Sequence, residues 1–213
     1  DNIPTYTRLS STDMTIATAR GGDGLSLWDL RTMKLIGEWS CGKEEEEDEM
    51  KKATSIAIHP GNQNVCTIGF DNGLFTAIDT RMKSNETILT VSIGEKIIGL
   101  AENRVHNNLI YAATKSGRCL AWDMKTNNLT PCGNQKMKAY AFDAHFSLPI
   151  FGFSPDDDCP VVTTSDAVCT LKVNDVLPKS IIAFHPILPV VSFGSPNGIV
   201  QIFNISLDDS QAK

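Results

Sequence analysis

The chain repeats itself, and that limits its fold more than any other feature. The stretches "TSIAIHPGNQNVCTIGFDNGLFTAIDTRM" (54–82) and "SIIAFHPILPVVSFGSPNGIVQIFNIS" (180–206) share one plan. Each has an apolar run closed by His-Pro, a second run ending in Gly, a Gly-containing turn and a third run ending in Asp or Asn. His59 precedes Gly73 by 14 residues and His185 precedes Gly198 by 13, so Gly24 and Gly117 imply further copies anchored at Ser10 and Asn103. Another copy, "AYAFDAHFSLPIFGFSP", is anchored at His145 and carries Asp156, Asp157 and Asp158 where the others turn on glycine. The anchors at 10, 59, 103, 145 and 185 are separated by 49, 44, 42 and 40 residues. A period of roughly 40 to 45 residues with about four short β segments per unit is the spacing of β-propeller blades.

Within a unit, "MTIATA", "NVCTIGF", "LIYAATK" and "PVVSFGS" are near-continuous runs of apolar or small residues, the pattern of strands covered on both faces. The turns after them, "GGDG", "DNG", "KSG" and "PNG", supply the positive-φ residues that a tight hairpin requires. Segments of helical period do not exceed a couple of turns. A β-sandwich is also built of short strands but does not repeat at a fixed step. The expected fold is therefore all-β, a propeller with about five blades present of a seven-bladed ring.

Trp28-Asp29 and Trp122-Asp123 close the third strand of their units, and Ile78-Asp79 and Phe203-Asn204 hold the same place in theirs. This resembles the WD40 signature. A large ring wedged between adjacent blades, followed by a polar residue where the strand reaches solvent, is its physical content. The Gly-His dipeptide that opens many such repeats is missing, so apolar packing is expected to hold the units together.

Composition narrows the class of function. With 213 residues and 41% apolar content the chain can fill a core. Nineteen Lys+Arg against 25 Asp+Glu give a net charge of −6 without a basic stripe, so no nucleic-acid partner is expected. No stretch approaches the roughly 18 apolar residues of a membrane helix, and there is no signal-peptide core, so no membrane insertion is expected. The lack of an initiator Met makes the chain read as a soluble piece of something longer. Cys41, Cys66, Cys119, Cys132, Cys159 and Cys169 show neither a CxxC pair nor metal-ligand spacing and read as reduced intracellular thiols. Three sequons, at Asn85, Asn128 and Asn204, are too short a pattern to carry weight.

Catalytic chemistry has little support. His59, His145 and His185 recur at one place in successive units, so they read as blade-corner residues and cannot readily converge on a metal, while His106 lies in a solvated loop. "RGGDG" is flanked by strands and lacks the helix N-terminus that would bind a phosphate. The anomaly is "KEEEEDEMKK" (43–52), an insertion at the longest spacing between anchors. Glu44, Glu45, Glu46, Glu47, Asp48 and Glu49 repel one another, so the segment reads as a solvated linker, or else as a docking point for a basic partner or a phospho-regulated region. The expectation is a non-catalytic scaffold without cofactor or metal; a ligand-sensing propeller using its central channel is the alternative.

Five units leave a seven-bladed ring incomplete, so further blades are expected before Asp1 or from elsewhere. The polar tail after "IFNIS" suits the end of a propeller. The order of the units, "TSIAIHPGNQNVCTIGFDNGLFTAIDTRM", then "AFDAHFSLPIFGF", then "IIAFHPILPVVSFGSPNGIVQIFNIS", resembles the C-terminal propeller of the raptor family, regulatory-associated partners of the TOR kinase. The resemblance runs from about Leu9 to Ile205. It implies a longer scaffold with a caspase-like region and a helical solenoid. The TOR kinase and other subunits of its complex would be its partners, its place would be the cytoplasm and the lysosomal surface, and its role would be to present substrates and couple the kinase to nutrient signals.

Overall fold

A computed structural model describes residues 4–10, 15–20, 24–40, 52–82, 86–104, 109–134, 136–166 and 170–206. Its strands form five antiparallel sheets in chain order. Sheet 1 holds β1 (Pro4–Ser10), β2 (Thr15–Arg20), β3 (Gly24–Asp29) and β4 (Lys34–Ser40). Sheet 2 holds β5 (Ala53–Ile58), β6 (Val65–Phe70), β7 (Leu74–Asp79) and β8 (Leu89–Ser92). Sheet 3 holds β9 (Ile97–Asn103), β10 (Leu109–Thr114), β11 (Arg118–Asp123) and β12 (Asn128–Asn134). Sheet 4 holds β13 (Ala139–Ala144), β14 (Ile150–Pro155), β15 (Val161–Thr164) and β16 (Thr170–Lys172). Sheet 5 holds β17 (Ile181–Phe184), β18 (Val190–Gly194) and β19 (Val200–Asn204), three strands among the described residues where the others have four.

Each sheet is a simple meander, and the first strands β1, β5, β9, β13 and β17 pack in succession. That is the inner edge of a propeller, with the blades radiating outward. The sequence anchors fall at or just beyond the ends of these inner strands, so each blade begins upstream of its anchor. The fold is a five-bladed WD40-type arc.

Blade-to-blade burial explains the composition of the strands. Ala17, Leu25 and Leu27 of blade 1 meet Ile56, Ile68 and Phe70 of blade 2. Phe75 and Ala77 of blade 2 meet Leu100, Ile110 and Trp122 of blade 3. Tyr111 and Cys119 of blade 3 meet Phe151 and Phe153 of blade 4, and Val162 meets Ile182 and Phe193 of blade 5. Every residue of β6 and of β14 is buried, which a strand achieves only with neighbours on both faces. Burying one such side chain contributes about 1.5–3 kcal/mol.

Glycine serves two separate needs here. Gly73, Gly117 and Gly198 sit at φ 84 in the turns between second and third strands, where an L side chain is strained. Gly69, inside β6, makes room for the next blade: a Cβ there would lie 2.5 Å from Ile97 Cγ2.

Candidate functional site

The loops fall on two rims. One rim carries the connections from first to second strand and from third to fourth; on it stand the recurring His and Asp residues. His145 Nδ1 accepts the backbone N–H of Ser147 at 3.0 Å and of Leu148 at 3.1 Å. His185 Nδ1 accepts those of Ile187 at 3.1 Å and Leu188 at 2.9 Å, and His59 Nδ1 accepts that of Gly61 at 3.2 Å. Each imidazole caps the turn that follows its own strand, which orients the Nδ1 lone pair to the backbone and leaves the proton to Nε2. His145 then donates from Nε2 to the Leu188 carbonyl at 2.8 Å, tying blade 4 to blade 5. At the equivalent place in blade 3 stands Asn103, whose amide donates to the carbonyls of His145 at 2.9 Å and Leu148 at 2.8 Å. His59 and His145 are buried, whereas His185 is exposed.

The recurring aspartates are also turn caps. Asp29 Oδ1 accepts the Arg31 N–H at 2.7 Å, Asp79 Oδ1 that of Arg81 at 3.0 Å, and Asp123 Oδ1 that of Lys125 at 2.9 Å. The Arg31 backbone bond holds the Asp29 carboxyl below its ordinary range, and a side-chain bond from Arg81 does the same for Asp79. Asn204 ends β19 and is exposed.

The two tryptophans that the repeat treats as equivalent differ. Trp122 is wedged between blades 2 and 3, with His59 edge-on at 5.8 Å and Phe75 tilted at 5.8 Å. Trp28 is 39% exposed and donates to Thr18 Oγ1 at 3.1 Å. Trp122 packs against the preceding blade, whereas among the described residues no blade precedes blade 1 to cover Trp28. Trp39, which the repeat does not single out, is buried and donates to the Met82 carbonyl of blade 2 at 3.2 Å.

The recurring histidines thus stand in blades 2, 4 and 5 and the aspartates in blades 1, 2 and 3, each held by its own turn. Among the described residues no three His, Cys, Asp or Glu side chains come close enough to hold a metal ion. Burial pushes the Cys66 thiol up to about 12 and raises that of Cys119 as well. His106, Cys41, Cys169, and Glu44, Glu45, Glu46, Glu47, Asp48 and Glu49 of the acidic insertion lie outside the described residues.

The opposite rim carries the turns between second and third strands and the connectors between blades. Glu95, Lys115, Ser116, Arg118, Lys136, Met137 and Lys138 line an open cavity of about 620 Å³ there, between the connectors that enter and leave blade 3. Arg118 pairs with Glu95 at 2.8 Å, and Lys115 and Lys138 share Asp156 at 3.0 and 3.5 Å. Burial disfavours the charged form of Glu95, but hydrogen bonds from Ser116, Arg118 and Thr114 outweigh it and lower its titration. A bond from Lys172 holds Asp158 down to about 2. The apolar pattern gave no hint of this rim. Its signal was a lysine seven residues before an anchor: Lys52 before His59, Lys96 before Asn103, Lys138 before His145.

No family model matches the chain. Topless-related protein 4 of Arabidopsis thaliana is 27% identical over 124 residues, covering 58% of this chain and 10% of that protein. Among solved structures, raptor of Chaetomium thermophilum superposes with a TM-score of 0.80 at 15% identity, over 95% of this chain and 20% of that one. The chain spans a tenth and a fifth of these two relatives. At such identity the likeness to raptor is one of fold.

Proposed function

We propose that the chain is a non-catalytic protein-interaction scaffold that works, as raptor does, with the TOR kinase. The observation that carries this reading is the coincidence of two signals: the order of the repeat units and the superposition of nearly the whole chain on raptor. The chemistry of the first rim agrees, since its histidines and aspartates are engaged in capping turns. A rigid arc with two rims of loops is suited to displaying partner-binding segments. On this reading the protein acts inside the cell, in the cytoplasm and at the lysosomal surface, where it presents substrates to the kinase.

The test is a tagged pull-down of the full-length parent, with and without these 213 residues. Co-purification of a TOR kinase with its complex is the expected result, and loss of the kinase on deletion assigns assembly to this segment. Recovery of other proteins without the kinase would overturn the TOR assignment. A second reading, a scaffold of a different intracellular complex, is favoured by the sequence match to a Topless-related protein.

A further inference from the structure

We infer that the lysine rim is a docking site for an acidic run of a partner polypeptide. The inference deepens the scaffold reading and rests on it, naming the chemistry of one partner segment.

Lys52, Lys96 and Lys138 each stand immediately before the inner strand of their blade, and Lys179 stands two residues before β17. The backbone fixes the first three alike: their carbonyls accept the N–H groups of Asp71 at 3.0 Å, Lys115 at 2.8 Å and Asp156 at 2.8 Å, each at the second-to-third turn of the same blade. Four successive blades thus bring a lysine to the inner edge of one rim, and all four are exposed. Among the described residues no carboxylate pairs with the side chain of Lys96 or Lys179.

The cavity beside blade 3 lies within this arc and adds Lys115, Arg118 and Lys136. Its lining holds one carboxylate, Glu95, against the four cations Lys115, Arg118, Lys136 and Lys138, and Asp156 beside it pairs with Lys115 and Lys138, so positive charge is in excess locally on a chain of net −6. Converging cations of this kind recognise carboxylate or phosphate groups. Met137 supplies an apolar wall between Lys136 and Lys138, which suits side chains more than a bare polyanion. The arc is also short and punctuated by acids, unlike the continuous basic track that follows a nucleic-acid backbone.

Fluorescence anisotropy on the full chain, with a labelled peptide of six consecutive glutamates, tests the inference. Saturable binding is expected at about 50 mM salt and strong weakening at about 300 mM. The triple variant Lys96→Ser, Lys138→Ser, Lys179→Ser should bind about tenfold more weakly. A control removing Arg31, Lys34 and Lys125 from the other rim, also as serines, should bind as the parent does. Thermal unfolding of both variants within a degree or two of the parent shows that the fold is intact. Changing all six acids of 44–49 to their amides tests the source: unchanged binding is expected of a rim that takes a partner's segment, and severalfold tighter binding, which would show the chain's own run competing for the rim, would overturn that assignment. Lack of peptide binding, equal loss in the two triple variants, or tighter binding of an oligonucleotide of the same charge would overturn the inference. The pull-down can succeed where this fails, so the scaffold reading stands or falls separately.

Discussion

Blades 2 and 5 are written in nearly the same words and packed quite differently. The register pairs Gly69 with Phe75 and Thr67 with Ala77 in blade 2, and Gly194 with Val200 and Ser192 with Ile202 in blade 5. Val200 therefore holds the place of Phe75, and Ile202 that of Ala77. Phe75 and Ala77 are fully buried, while Val200 and Ile202 are 68% and 70% exposed. Gly194 shows the same contrast: a Cβ there would meet nothing within 4 Å, where Gly69 is pressed by Ile97. A blade's strands follow from its own sequence, but its burial follows from its neighbour. Trp28 and Trp122 repeat the lesson at the other end of the arc.

The tryptophan pair offers the largest test. Trp122→Ala should cost about 3–5 kcal/mol in urea unfolding, and Trp28→Ala about 1 kcal/mol, since only one ring fills a closed seam. Equal losses would mean that Trp28 is covered. Next, Gly69→Ala should destabilise by about 1–3 kcal/mol, because the added methyl overpacks Ile97 and Ser55, while Gly194→Ala should stay within about 0.5 kcal/mol. The histidine caps sharpen the comparison further. His145→Ala removes a buried ring that accepts two backbone N–H groups and reaches blade 5, and should cost about 2 kcal/mol. His185→Ala should cost about 1 kcal/mol or less, the turn being open to water.

The smallest effect is one of pH. Burial pushes the Cys66 thiol from its ordinary value of 9.0 up to about 12. The folded state therefore holds its proton where the unfolded state has lost it. Its stabilising contribution is full below about pH 9 and declines as pH rises from there through about 12. A Cys66→Ala variant should show a shallower loss of thermal stability across that window, as followed by circular dichroism.

What was legible in the sequence is what local chemistry dictates. The turn glycines announce positive φ whatever surrounds them, and the apolar runs announce strands, so the period and five units could be read directly. The place of His59, His145 and His185 was equally plain. Their work as turn acceptors was not, because it depends on backbone N–H groups two and three residues on. The exposure of Trp28 was hidden, since a repeat position says which neighbour a ring needs and not whether that neighbour stands there. The lysines before the inner strands escaped because an exposed cation breaks no apolar pattern.

Hydrogen–deuterium exchange, read strand by strand, tests most directly the claim that burial between successive blades holds the arc together. Amides of β6, β10 and β14 should exchange slowest, at rates approaching global unfolding, and those of β19 about a hundredfold faster or more. Protection of β19 equal to that of β7 would contradict the account, because it would show that blade 5 is closed without a neighbour on its outer face.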